Sequence, residues 1–474
     1  MIDRRSLMSL GSVGLAATAL AGSGAANASP AQPDIAPLSA PVRARIDAML
    51  DGKDSAGGVM VATLKGQPVA FHAWGKASLP FDVAPTADTL FHIGSNGKRF
   101  TAWAVLQLIE AGRVAPSDPI GRHVPDLPAS ISGVTIDQLV HHVSGLADYA
   151  NLLPDWDRPQ PREEIIRVID AGPQDFPPSA RWAYSNTNYV LLGWLIEAVT
   201  GKTYAEYLNE KLFKPAGLPH ARTDAAQTVI PQRAEPYEFD DGQFVHAVVM
   251  ENGVSRAPDG GVLFSARDLA PWAATMFSPV LLSAESASLA TQPGRLSTGR
   301  RTPYGYGLNP AQRHGRPILT HTGGVPGFVS EWTIWPQEDL HVLWMSNSEG
   351  GAAPKRFQMI EAMAEAIIPG LTRPLPDRNA DDPRTQRLRR LLVRPEGEAP
   401  AADLMAEELT TWTGREPTSV PRLDAADILA PIDIWPLGDT PEEGTAARYY
   451  LKFGARDTTL TVGWTADDRI YGIF

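Results

Sequence analysis

Strand-like sequence occurs at the two ends of the region 58–345 and helical sequence fills its middle, and this distribution is what most restricts the folds open to the chain. At the N-terminal end, 58–64 and 69–74 are apolar runs joined by Lys65-Gly66, a hairpin pattern. At the C-terminal end, 304–308, 318–321, 328–335 and 341–345 carry the β-branched and aromatic residues expected of strands. Between them, apolar residues recur with helical spacing over 95–111, where Trp103, Leu106 and Ile109 share a face and Gly112 follows as a stop. Further helices are expected over 162–171, 189–199 and 204–212, and two more, over 41–50 and 355–367, flank the strands. The sequence therefore implies an α+β fold, in which one antiparallel sheet is built from both ends of the region, flanked by helices and joined to a mostly helical subdomain. A cleft between the two is the natural place for a site.

The full 474 residues are too many for that unit alone. A proline-, aspartate- and arginine-rich stretch, 371–384, reads as a linker, which leaves a main domain over 36–370 and a small C-terminal α+β domain over 385–474. The latter is expected to hold two helices and then strand-like runs at 446–453, 458–464 and 469–474. Residues 1–28 carry Arg4-Arg5, a Gly- and Ala-rich apolar stretch and Ala26-Asn27-Ala28, the pattern of a signal peptide removed after Ala28. The paired arginines resemble a twin-arginine export signal, although Asp3 stands where that motif usually has Ser or Thr; an ordinary secretory signal is the alternative. The expected location is periplasmic or secreted. No Cys follows the apolar stretch and no later run reaches the ~18 uninterrupted apolar residues of a spanning helix, so no stable membrane anchor is expected.

Cysteine is absent, which removes disulfides, thiolate metal sites and a Cys nucleophile together. A net charge of -12 works against nucleic acid or an anionic membrane as partner and favours a small-molecule or peptide substrate. The oligomeric state is not legible.

Three constellations carry chemistry. Ser95-Asn96-Gly97-Lys98 opens the long helix, and a spacing of three residues puts the Lys98 ammonium one turn above the Ser95 hydroxyl on the same face. Of the nine lysines, Lys98 alone has a serine three positions earlier. Tyr184-Ser185-Asn186 lies between a proline-rich loop and a helix start, where a side chain projects into a cleft. A phenol of pKa ~10 acts as a base only where a cation lowers that value, and Lys98 is the candidate cation. The same Tyr-x-Asn pattern at Tyr149 and Tyr207 is assigned to a polar turn and to packing. His321-Thr322-Gly323-Gly324 ends a strand-like run, and its glycines let backbone approach a ligand, so that the Gly324 and Ser95 N–H groups form an oxyanion hole.

Taken in order, 91–98 (FHIGSNGK), 139–146 (LVHHVSGL), 184–193 (YSNTNYVLLG), 260–269 (GGVLFSARDL) and 321–328 (HTGGVPGF) resemble the successive signature segments of the serine β-lactamase-related family. That family includes class C β-lactamases, D-amino-acid-specific peptidases and esterases. The resemblance implies a serine hydrolase working through an acyl-enzyme on an ester or a D-residue-containing amide. Ser95 would be the acylated serine, Lys98 its cationic partner, Tyr184 the general base and then acid, and Asn186 a donor to the substrate amide. His321, Thr322, Gly323 and Gly324 would line the edge strand beside the substrate. It further implies no metal and no organic cofactor, with the second of His141 and His142 structural. Class C β-lactamases have Lys where this chain has His321; a largely neutral imidazole there weakens the case for efficient β-lactam hydrolysis. A DD-peptidase or weak β-lactamase, and a non-catalytic penicillin-binding-like sensor, are the alternatives.

Overall fold

The hairpin forms β1 (Gly57–Leu64) and β2 (Gln67–Gly75), joined through Lys65 at φ 52° and Gly66 at φ 68°. Two consecutive positive φ values give a two-residue turn the twist its strands need. The computed structural model describes residues 35–473 apart from 51–54, 154–159, 173, 225–227, 249–257, 350–354, 373–381, 396, 412–426, 429–432, 437–443 and 454–455. The proposed signal peptide and most of the 371–384 linker therefore lie outside the described residues.

The later part of the region supplies β3 (Asn309–Arg313), β4 (Arg316–Val325), β5 (Phe328–Trp335) and β6 (Leu340–Ser346). These six strands form one antiparallel sheet in the order β2-β1-β6-β5-β4-β3. The two ends of the region meet at its centre, with Gly58 opposite Ser346 and Leu64 opposite Leu340. No strand forms over 304–308, because Gly307 turns the chain at φ 68° and the Tyr304 side chain is buried in the site described below. A second hairpin, Tyr237–Asp240 with Gln243–His246, was not anticipated; Asp241-Gly242 is its turn, at φ 44° and 79°.

Side-chain alternation divides the sheet between two cores. Val59, Val61, Trp332, Leu343 and Met345 face the helical part, whose centre is α2 (Lys98–Glu110) and α3 (Asn186–Thr200). Met60, Ala62, Val342 and Trp344 face the opposite way, against α1 (Ala40–Met49) and α4 (Arg356–Ile367). Ten of the thirteen residues of α2 are buried, so it is a core helix rather than an amphipathic surface one. Each fully buried large aliphatic side chain contributes about 1.5–3 kcal/mol, which anchors the start of α2 firmly.

In the C-terminal segment, α5 (Pro383–Leu392) begins inside the stretch read as linker and packs Leu388, Leu391 and Leu392 on a separate sheet carrying Ala447, Tyr449, Val462, Trp464, Ile470 and Ile473. Its central strands are Thr445–Phe453 and Arg456–Trp464, as the alternating runs imply. A second helix is not seen among the described residues; Met405–Thr411 is a strand paired parallel to Ile470–Ile473.

The turn before α2 and the edge strand β4 touch through backbone. A Cβ on Gly94 would lie 2.6 Å from Gly324 N, and one on Gly323 would lie 1.9 Å from the Ile93 carbonyl oxygen. Gly323→Ala is accordingly expected to cost about 1–3 kcal/mol through forced separation of these segments, read as a lower urea midpoint at unchanged m-value.

Candidate active site

Ser95 lies in a short 3-10 turn, Gly94–Gly97, that leads directly into α2, and Gly94 enters it at φ 51°. Two side-chain bonds hold this turn to the sheet and a third braces it against α2. Asn96 Nδ2 donates to Ser330 Oγ at 2.8 Å, Ser330 Oγ donates to the Ile93 carbonyl at 2.7 Å, and Arg99 Nη2 donates to Asn96 Oδ1 at 2.6 Å. Arg99 is fully buried, its guanidinium 3.9 Å from the centre of the Trp332 ring; burial lowers its pKa to about 9. Neither Arg99 nor this clamp was singled out in the sequence; the apolar period of α2 conceals a buried arginine.

The Lys98 ammonium is fully buried and donates in three directions: to Ser95 Oγ at 3.0 Å, to Asn186 Oδ1 at 2.7 Å and to the Asp259 carbonyl at 2.5 Å. An ammonium has three donors and no acceptor, so all three are used. Asn186, the first residue of α3, is oriented in turn by Asp148, whose Oδ2 accepts from its Nδ2 at 3.0 Å. The Asp259 carboxylate is buried and accepts from the Tyr149 hydroxyl at 2.9 Å. Tyr149, assigned above to a polar turn, is thus a fully buried member of the site, and Asp148 and Asp259 are members that no motif marked.

Tyr184 packs its ring beside the ammonium, 4.8 Å from Nζ to the ring centre, and against His142 at 4.4 Å. Its hydroxyl oxygen is buried, and Ser95 hydrogen-bonds toward it, which favours the phenolate. That contact is not a well-formed bond, since the hydroxyl has no partner of good geometry among the described residues. Burial outweighs it: the Tyr184 phenol is pushed well above its ordinary pKa, with Asp259, Tyr189 and Asp148 adding to the rise. The expectation that Lys98 lowers this value is not met. Lys98 is the group brought toward neutrality, to about 8, because burial disfavours its charge more than Asp259 and Asp148 support it.

His321 also departs from a simple edge-strand role. Alternation along β4 exposes Thr322 and Gly324 and turns His321 and Gly323 inward. The His321 ring is pinned between the Tyr304 hydroxyl, 2.7 Å from Nε2, and the Thr322 carbonyl, 2.5 Å from Nδ1. A carbonyl only accepts, so Nδ1 carries the proton and Nε2 accepts from Tyr304, which fixes the neutral tautomer. Burial, then Lys98 and Arg99, lower its pKa to about 3. His142 is likewise buried and neutral, its Nδ1 accepting from the Ser185 N–H and the Asn188 amide at 3.2 Å each. Arg313 is buried against Glu331 and the Phe357 ring. No group of three or more His, Asp or Glu suited to a metal ion occurs among the described residues.

A buried lysine against a half-buried serine at the start of a core helix, with a tyrosine alongside, is the arrangement of a serine hydrolase of the β-lactamase fold. The chain belongs to the Beta-lactamase family, whose model matches residues 42–365. It is 29% identical over 353 residues to penicillin-binding protein 4* of Bacillus subtilis, covering 70% of this chain and 76% of that one. With a D-aminopeptidase of Brucella anthropi it shares 28% over 317 residues, 64% of this chain and 58% of the relative, so it spans little more than half of that protein. Among solved structures, a penicillin binding protein from Bacillus halodurans superposes with a TM-score of 0.59 at 26% identity, covering 70% of this chain and all of the other (100%).

The neutral His321 makes a direct prediction. Its ring proton resonances should stay flat between pH 5 and 8 in NMR spectra, identified by their loss in His321→Gln, because its pKa lies at about 3. A titration near the ordinary histidine value of ~6.5 would contradict the pinned tautomer.

Proposed function

We propose that the protein is an exported hydrolase in which Ser95 attacks the carbonyl of an ester or a D-residue-containing amide and forms an acyl-enzyme. The observation that carries this reading is the 3.0 Å contact between the buried Lys98 ammonium and Ser95 Oγ, with the Tyr184 ring packed beside the same ammonium. Lys98 and Tyr184 act as one unit that must be short of one proton before it takes the serine's. Lys98 gives up a proton most easily, at about 8, so acylation should rise with pH through that value. The Ser95 proton passes to the pair as Oγ bonds to the carbonyl carbon, and the pair returns it to the departing amine or alkoxide. Water then attacks the acyl carbon, deprotonated by the same pair, and as the carbon–Oγ bond breaks the pair returns that proton to Ser95. The N–H groups of Ser95 and Gly324 would receive the developing oxyanion, an arrangement consistent with the backbone contact of Gly94 on Gly324.

Substrate class follows from charge. A neutral His321 offers no cation to a carboxylate next to the scissile bond, which favours amides and esters over β-lactams and D-Ala-D-Ala termini. Relatives named D-aminopeptidase support the amide reading. Export is supported by residues 1–28, and no described helix is long and apolar enough to cross a membrane.

Intact-protein mass spectrometry after exposure to a fluorophosphonate, a p-nitrophenyl ester, a D-amino-acid amide and a penicillin tests the reading. One adduct, lost in Ser95→Ala, with turnover of the ester or the D-amide is expected. Lys98→Met and Tyr184→Phe should each lower kcat/KM by about 10²–10⁴. Adducts that never turn over would favour a sensor, and faster acylation by penicillin than by ester or amide would overturn the substrate assignment.

A further inference from the structure

Asp259 packs beside Lys98. Its carbonyl accepts one ammonium hydrogen directly, and its carboxylate lies in the same buried pocket, bound by the Tyr149 hydroxyl at 2.9 Å. The segment carrying it is clamped on every side. Thr101 of α2 donates to the Pro258 carbonyl at 2.5 Å, and Pro258 lies against α3 so closely that a Cβ on Gly193 would come 1.8 Å from its Cγ. Gly260 packs on Gly94 and Gly97, the residues that bracket the nucleophile turn. The Asp259 backbone is therefore fixed relative to helix and nucleophile turn, and the Tyr149 hydroxyl holds its carboxylate in the buried pocket around the ammonium.

A carboxylate so placed is superfluous for holding the lysine, since any residue at 259 supplies the carbonyl. We infer that the Asp259 carboxylate is a positioning residue that sets the protonation of the Lys98 ammonium and, through it, the pH at which Ser95 becomes reactive. This rests on Ser95 being the nucleophile. The titratable groups that face Asp259 are Lys98 from α2, Asp148 and Tyr149 from the 3-10 turn Tyr149–Asn151 and its cap, Tyr184 beside the serine, and Tyr204 from the helix Tyr204–Leu208. Around the ammonium lie, in addition, the neutral rings of His142 and His321 and the face of Tyr189. Of all these, Asp259 is the largest influence favouring the charged lysine, ahead of Asp148. The carboxylate is itself raised to about 6 by burial, with Lys98 and the Tyr149 hydroxyl opposing the rise, so it is ionised where Lys98 titrates.

The sign follows directly. A nearby anion favours the ammonium and raises its pKa; without the anion the lysine loses its proton at lower pH. The test is the rate of Ser95 labelling by a fluorophosphonate, followed by intact mass from pH 5.5 to 10, which needs no knowledge of the natural substrate. In the wild type the rate should rise with a midpoint near 8. Asp259→Asn and Asp259→Ser keep the carbonyl and remove the charge, and each should move the midpoint down by about one pH unit or more. Asp259→Glu should bring it back toward the wild-type position. Two neutral variants guard against one that fails to fold, and a purely structural role would lower the plateau rate without moving the midpoint. A midpoint unmoved or raised in whichever neutral variant folds overturns the inference while leaving Ser95 as nucleophile. Absence of labelling at Ser95 in the wild type at every pH overturns both.

Discussion

An ammonium with no water around it is the constraint on which the rest of the site depends. Removing a charge of that size from solvent costs several kcal/mol even after relaxation, and only well-placed acceptors offset it. Lys98 finds three, and each comes from a different part of the chain: Ser95 from the turn before α2, Asn186 from the first position of α3, and Asp259 from the loop before residue 260. Losing any one strands a buried donor, so the charge is tolerable only when all three segments are home. Of the three acceptors Ser95 and Asn186 are half-buried and Asp259 is buried, and the ammonium that needs the serine thereby aims it.

Close backbone packing supplies the rigidity this requires. Gly94, Gly193, Gly260 and Gly323 sit where a side chain of any size would strike a neighbouring segment, so turn, helix, loop and edge strand meet at backbone distance. The Ser330–Asn96–Arg99 bonds then tie the turn to the sheet from below. A serine held on both sides in this way gives up little conformational freedom on taking any one geometry.

The sheet was legible because its strands carry period-two patterns and unambiguous turns, and the α2 helix because its apolar spacing runs unbroken from Phe100 to Leu108. The triad of Ser95, Lys98 and Tyr184 was legible from local spacing and family resemblance, and the fold brings all three together. What escaped was non-local. Asp148, Tyr149, Asp259 and Tyr304 act through partners 38 to 110 positions away or, for Tyr304, across a turn that mimics a strand in composition. Nothing in their own neighbourhoods distinguishes them from surface acids or packing aromatics. The direction of the Tyr184 shift escaped for a related reason: a sequence shows which cation is near but not how thoroughly water is excluded, and here exclusion wins.

Charge balance in the pocket links this electrostatics to the choice of substrate. Two cations, Lys98 and Arg99, sit one after the other at the start of α2, both fully buried. Lys98 is compensated by Asp148 and Asp259, while Arg99 makes no ion pair among the described residues and relies on Asn96 and the Trp332 ring. Their joint field is felt at His321, where it adds to burial in keeping the imidazole neutral. The cations thus suppress a third positive charge at His321, whose side chain β4 turns inward. An anionic group arriving there would find a neutral ring already pinned by Tyr304 and Thr322, and would lose its hydration without gaining an ion pair. A neutral carbonyl compound suffers no such penalty, and its oxyanion, formed only as Ser95 attacks, appears within the field of both cations. Under the proposed mechanism the same buried charges favour charge that develops during reaction over charge that a substrate brings with it.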